Sequence, residues 1–382
     1  MKLPFLAPLL AASFLLGGCS TLDKLNPFSS SGPKLGQLTD FKATVEARNL
    51  WSASVGKAGS YTFVPAVVGD AVFVAGQDGT VSRLENGKVV WKIDAEQKLS
   101  AGVGASNSLV VVGTDKGEVL AFAAADGKPQ WQTRASSEIL SAPAVSEDGV
   151  AVRSGDNRVF LFDLHDGARK WVYQRANPTL AIRGAGAPVF ADRYLFVGFP
   201  GGRLVALSLQ NGALVWEGPV AQPRGATELD RVADVVAPPV IDGRQICAVA
   251  FQGKVACFDM GQGGALMWSR DMSSTSGLAL DGRALFVTDD QGVVYAFDRQ
   301  NGSSLWKQDK LQNRRLSGPA AQRGLVAVGD GEGYIHFLSR EDGSLAARQK
   351  IDSSPIRAAV TTLGGGFVAQ TTGGAVGSYE AQ

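Results

Sequence analysis

The chain has 382 residues, with 37 Lys+Arg against 36 Asp+Glu, a formal net charge of +1, and so lacks the concentrated basic surface that nucleic-acid binding requires. Hydrophobic residues make up 45% and charged residues 19%, which is enough apolar material for a large core and excludes a wholly disordered chain. The 47 glycines, well above the usual share of about 7%, indicate many tight turns, and three Cys with two His are too few for a zinc site of the usual kind.

Residues 1–18 read as a lipoprotein signal peptide. Lys2 precedes an apolar stretch, Leu3 to Leu16, that is shorter than the roughly 20 residues needed to span a bilayer. The stretch ends in Leu16-Gly17-Gly18-Cys19, which resembles a bacterial lipobox, where the chain is cut before the Cys and the Cys is acylated. Cys19 is therefore the expected lipidation site, and several acyl chains at about 0.8 kcal/mol per buried methylene give lasting anchorage. Ser20 follows, not Asp, which favours sorting to the outer membrane with the rest of the chain in the periplasm. Residues 19–47 are expected to be the lipidated Cys and a flexible tether. A coil of about 25 residues reaches roughly 25–30 Å.

From residue 48 onward one unit repeats. Trp51, Trp91, Trp131, Trp171, Trp216, Trp268 and Trp306 are spaced by 40, 40, 40, 45, 52 and 38 residues. Six of them close a segment with Gly four residues earlier: NGKVVW (86–91), DGKPQW (126–131), DGARKW (166–171), NGALVW (211–216), GGALMW (263–268) and NGSSLW (301–306). A seventh copy, DGSLAA (342–347), has Ala347 where Trp would fall. Each unit also carries an Ala/Pro-rich strand such as SAPAV (141–145), an apolar run such as LVVVG (109–113), and a further strand such as GEVLAFA (117–123). An Asp/Asn-Gly turn follows, whose residues tolerate positive φ, and then the Trp strand. Four short strands per unit of about 41 residues make one antiparallel blade, and residues 48–382 hold eight of them. A blade cannot bury both faces alone, whereas radial stacking covers each against its neighbours. The expected fold is all-β, an eight-bladed β-propeller of four-stranded antiparallel blades. The last unit (356–382) lacks a Trp strand and NLWSASV (49–55) lacks partners, so the N-terminal strand is expected to close the ring near residues 374–380. The tryptophans themselves read as wedges between blades, with each indole N–H on a backbone carbonyl.

Two spacings exceed the basic 40 by several residues, those from Trp171 to Trp216 and from Trp216 to Trp268. Their extra length holds TLAIRG (179–184) and GATELDRVADV (225–235), each between a Trp strand and the next Ala/Pro strand. Equivalent positions place both loops on one face, on adjacent blades. Extended loops on a rigid scaffold are where binding is expected, although a surface insertion without function has the same appearance. Cys247 and Cys257 flank a turn near Gln252-Gly253. A three-residue loop sets them opposite each other, ready for a disulfide in an oxidising compartment. A two-residue loop shifts them out of register and leaves two small buried hydrophobes. Both readings stand at this point.

The Gly-x-x-x-Trp ending after Asp/Asn-Gly resembles the tryptophan-docking repeat of quinoprotein dehydrogenases, which implies an adjacent Cys pair and clustered carboxylates for calcium in an active enzyme. Here Cys19, Cys247 and Cys257 are never adjacent, and most Asp residues sit in Asp-Gly turns. His165 and His336 occupy different positions in their repeats, and no GxSxG elbow or phosphate loop occurs. No catalytic residue, metal ligand set or cofactor is indicated, and the chain reads as a non-enzyme.

Over nearly its whole length the chain is similar to the BamB family, the lipoproteins of the outer-membrane β-barrel assembly (BAM) machinery. TLAIRG, GATELDRVADV and VGDGEGYIHF (328–337), with QKIDSS (349–354) behind it, carry the resemblance. It implies a non-catalytic scaffold that binds the periplasmic POTRA domains of BamA and, through BamA, the other BAM subunits, with nascent outer-membrane proteins as further partners. The family's Leu-x-Leu-Arg contact motif falls on Leu180, Ile182 and Arg183, and its Asp-Arg-x-x-Asp stretch on Asp230, Arg231 and Asp234. Where the family often carries another Asp, this chain has Val236. For Asp234 an internal role, holding Arg183 or Arg231, competes with partner contact. The alternative function is a periplasmic propeller that binds another envelope protein or an unfolded barrel precursor.

Overall fold

A computed structural model describes residues 34–176, 178–184 and 186–382. The expected signal peptide, Cys19 and the first part of the expected tether lie outside the described residues. Gly36–Gln382 forms one compact unit, built of eight four-stranded antiparallel sheets. Blades 1 to 7 span 66–94, 99–134, 144–174, 189–219, 240–272, 278–308 and 320–350. Blade 8 takes three strands from 361–381 and its outermost strand from Ala47–Ser54. This is the expected β-propeller. Among the described residues no helix is long and apolar enough to cross a membrane.

Within a blade the strands run outward in chain order. The first strands of neighbouring blades touch closely around the ring axis at every junction but that of blades 4 and 5, and Thr361–Leu363 of blade 8 touches Ala66–Val68 of blade 1. The middle strands are covered on both faces, so they read as unbroken apolar runs; Ala71–Ala75, Gly149–Arg153 and Leu325–Gly329 are buried at every residue. Outer strands alternate because one face meets solvent. Lys88–Asp94 buries only Trp91, against an otherwise exposed or half-buried strand.

The repeat signature has a physical cause. Each glycine of the Asp/Asn-Gly turn lies under the tryptophan of the preceding blade: Gly87 under Trp51, Gly127 under Trp91, Gly167 under Trp131, Gly212 under Trp171, Gly264 under Trp216, Gly302 under Trp268 and Gly343 under Trp306. At Gly212 the backbone is left-handed (φ +72°), and a Cβ would fall 2.7 Å from the Trp171 ring. Only glycine meets both demands. The indole N–H groups of Trp91, Trp131, Trp171, Trp268 and Trp306 donate to backbone carbonyls of the next blade at 2.7–3.0 Å. These tryptophans are wedges, as the spacing implies.

Ring closure follows the sequence reading closely. Ala47–Ser54 pairs antiparallel with Ala375–Ala381, with Trp51 opposite Ser378 and a bulge beside Asn49. Trp51 and Val55 then pack with Val72, Val74, Val368 and Val376 across the junction of blades 8 and 1.

The segment before this strand differs from the expected tether. From Gly36 to Glu46 the chain lies along blades 6 to 8. Gly36 N–H donates to the Asn313 carbonyl and Thr44 N–H to that of Ala346, while Glu46 and Gln382 exchange backbone bonds. Arg314 donates to the Gly36 carbonyl (2.6 Å) and Arg348 to that of Thr39 (2.8 Å), with Phe41 beneath the Arg348 guanidinium. This strap covers the junction where Ala347 replaces tryptophan, and Val45 joins Ala346, Ala347 and Tyr379 in the core there. Residues 36–46 are therefore not free chain as expected, because main-chain bonds and two arginines hold residues that carry little apolar periodicity.

Candidate functional site

The two inserted loops run between a Trp strand and the first strand of the next blade, on one face, as their repeat positions imply. The first, 175–188, joins blades 3 and 4; the second, 220–239, joins blades 4 and 5. The second loop is anchored by its far half. Ala233 and Val235 pack against Phe196, Val220 and Ile246, and Val235 N–H donates to the Phe199 carbonyl. Its near half projects. Thr227 and Asp230 exchange bonds in the manner of a capping box: the Asp230 amide donates to Thr227 Oγ1 (3.2 Å) and the Thr227 amide to the Asp230 carboxylate (3.1 Å). A hydrogen bond from the Thr227 side chain, and then the one from its amide, hold the Asp230 carboxyl below its ordinary pKa. Arg231 folds back on the same turn, donating to the Gly225 carbonyl and to Glu228. Asp230 and Arg231 are exposed, but each already has partners within the loop.

Asp234 corrects the sequence reading. It is 1% exposed, so it is not a surface contact. It holds neither Arg183 nor Arg231. Its Oδ2 accepts the Ile182 amide at 2.7 Å and its Oδ1 the Gly201 amide at 3.1 Å. One carboxylate therefore fastens the 179–184 loop to the 225–235 loop, which charge-assisted bonds to backbone amides do well. Beneath lies Arg153, wholly buried, which donates to the Gly198 carbonyl and to Asn157 and lies over the Phe199 ring. Burial pulls its pKa down to about 10, and the charge of Asp234 opposes that fall.

The fastened loops show solvent apolar side chains beside charged ones. Leu180 is exposed and Ile182 half-buried. Arg183 has a side chain 67% exposed, paired with Glu138 of the preceding blade junction at 2.6 Å. That pairing and Tyr61 raise its pKa further. Such an exposed ion pair is weak and exchanges readily for a partner's carboxylate. Four further residues belong to the site without a signal in the sequence. Glu138 lies in the connection between blades 2 and 3, Arg153 inside a buried strand of blade 3, and Leu229 among polar residues of its loop. The fourth, Gln252, sits in the blade 5 turn; its amide nitrogen, turned toward the loop, lies 3.2 Å from the Leu229 carbonyl and 3.0 Å from that of Val232. The adjacent Phe251 N–H donates to the Asp234 carbonyl.

That turn is the three-residue kind. Ala250 N–H donates to the Lys254 carbonyl, Cys247 stands opposite Cys257, and the two sulfurs are bonded (Cα–Cα 4.1 Å). The histidines are accounted for separately. His165 is exposed in the blade 3 turn before Trp171. His336 is buried with both ring nitrogens engaged, Nε2 on Asp330 at 2.8 Å and Nδ1 accepting from Arg348 at 3.1 Å. Among the described residues no group of three or more His, Cys, Asp or Glu is placed to hold a metal ion.

The fold is that of an eight-bladed β-propeller that carries a pair of joined loops on one face. The sequence pattern described as "Outer membrane protein assembly factor BamB" matches residues 77–308 and 291–382. The chain is 41% identical to the factor of that name from Bordetella pertussis, over 97% of this chain and 95% of that one. It is 43% identical to the one from Pseudomonas aeruginosa, over 98% of each. The crystal structure of BamB from Moraxella catarrhalis superposes with a TM-score of 0.82 at 28% identity, covering 88% of this chain and all of that one. A quinohemoprotein alcohol dehydrogenase from Pseudomonas putida superposes at 0.71 with 13% identity over 87% of this chain and 76% of that one, which is a likeness of fold. The chain belongs to the BamB family of outer-membrane protein assembly factors.

Proposed function

We propose that this protein is a non-catalytic scaffold of the outer-membrane assembly machinery, anchored through lipid on Cys19 and facing the periplasm, that binds the POTRA domains of BamA through the joined loops. The observation that carries the reading is the Asp234 carboxylate fastening both loops into one surface that shows Leu180, Ile182 and Arg183. A scaffold role also accords with the chemistry of the side chains. His336 is locked between Asp330 and Arg348, His165 stands on a separate turn, and Cys247 is spent in a disulfide. The test is Arg183→Ala. Loss of an interface arginine with several donors is expected to weaken POTRA binding about tenfold or more. The melting temperature should stay put, because the side chain is exposed. Full-strength binding by this variant would remove the site assignment. A fall in melting temperature would make Arg183 structural instead.

A further inference from the structure

The turn beneath the 225–235 loop holds a residue in a conformation that its type disfavours. Gln252 has φ +45°, in the left-handed region that glycine enters freely and other side chains enter at a cost of about 1 kcal/mol. Such strain persists where the side chain is needed. Here the need is visible. The Gln252 backbone N–H donates to Ser273 Oγ at 2.9 Å, and its side-chain amide, with the nitrogen assigned to the atom that faces two acceptors, donates to the carbonyls of Leu229 and Val232. Those carbonyls belong to the turn whose start is closed by Thr227 and Asp230. Between the two closures stands Leu229, 70% exposed, more than any other large apolar side chain among the described residues. A leucine held out in water on an immobilised turn spends little entropy on binding.

We propose that Leu229 is an apolar contact of the partner surface and that Gln252 is the positioning residue that presents it. The partner chemistry it fits is an apolar pocket or side chain beside a carboxylate or carbonyl that takes Arg183. This rests on the reading that the joined loops bind BamA. The experiment measures the affinity of the full-length protein for purified POTRA domains in Leu229→Ser, Gln252→Gly and Arg183→Ala, with melting curves and amide exchange on each. Leu229→Ser is expected to bind about tenfold more weakly with an unchanged melting temperature. Gln252→Gly relieves the left-handed strain, so its melting temperature should hold or rise. Its Arg231 and Val232 amides should nevertheless exchange faster, and its binding should fall several-fold. A residue serving only the blade 5 turn would show the opposite pattern: a lower melting temperature with loop exchange and affinity unchanged. That pattern overturns the inference. Full-strength binding by Leu229→Ser, beside a weakened Arg183→Ala, refutes the inference and leaves the broader reading intact. Full-strength binding by all three removes both.

Discussion

The Asp234 carboxylate takes one amide from the blade 3–4 loop and one from the Gly201 turn of blade 4, and its charge favours the protonated form of wholly buried Arg153. Removing it leaves two amides without acceptors and withdraws a negative charge that favours protonated Arg153. Each orphaned donor costs about 1–3 kcal/mol. Asp234→Ala is therefore expected to unfold at clearly lower urea, and to lose POTRA affinity because the two loops no longer share one frame. Asp234→Asn keeps one acceptor and should lose less of both. The urea midpoints of the two variants check this. An unchanged midpoint with lost binding would make Asp234 a direct contact in spite of its burial. This role was hidden in the sequence for a definite reason. The bonded atoms are backbone amides 33 and 52 residues away, and an amide carries no residue-type signature. Leu180 and Arg183, by contrast, are legible because they are exposed side chains inside a recognisable motif.

The elements divide the same way. Blades were legible because the turn glycine and the Trp strand solve a local packing problem that recurs at every junction. The strap was not, because it docks through carbonyls of Gly36 and Thr39 held by Arg314 and Arg348. Beneath it Asp330 takes Arg314 Nε (2.8 Å) and His336 Nε2 (2.8 Å), all three being buried. Burial alone would raise the Asp330 pKa, but the bonds from His336 and from the amides of Tyr334 and Glu332 outweigh it and hold it at about 2. Burial lowers the pKa of His336, with Arg348 and Arg314 adding to the fall and Asp330 opposing it. Both groups have folded values below their unfolded ones, so both contribute stability that is present at high pH and lost on acidification. For His336 the loss begins below 6.5, the ordinary value, and for Asp330 it runs from 3.8 toward about 2. Protonating His336 on Nδ1 also removes the acceptor for Arg348, the residue that holds Thr39. The melting temperature should therefore fall in two stages as pH drops. His336→Gln, which cannot titrate, should flatten the upper stage and leave the lower one. A wild-type curve flat from pH 7 to 5 would show that His336 takes up its proton in the folded protein as readily as in the unfolded chain.

At the scale of the whole molecule, stability depends on a ring in which no blade has an uncovered face. Closing it joins Ala47–Ser54 to Ala375–Ala381 across more than 300 residues of sequence. Loop entropy grows only logarithmically with that separation, so closure is opposed far less than the distance suggests. The apolar gain is the larger effect. Without the closing strand Gly87 loses Trp51, and Val72, Val74, Val368 and Val376 lose part of their cover. The strap adds a second fastening at the junction of blades 7 and 8, and the two can be separated by truncation. Starting the chain at residue 47 removes the strap alone, leaving Ala346, Ala347 and Tyr379 thinly covered. Starting it at residue 57 removes the closing strand as well. The first truncation should lower the melting temperature by a few degrees. The second sacrifices a half-buried tryptophan and a full strand ladder, on the order of 5 kcal/mol, which corresponds to about 7 °C in a domain of this size. It also exposes Ala375–Ala381 as an unprotected edge, so the truncated protein should associate at concentrations where the intact chain stays dispersed. Scanning calorimetry with light scattering on the two truncations separates these effects. Equal melting temperatures for the two would mean that the ring is held by its inner strands, and that the outer closure contributes nothing to stability.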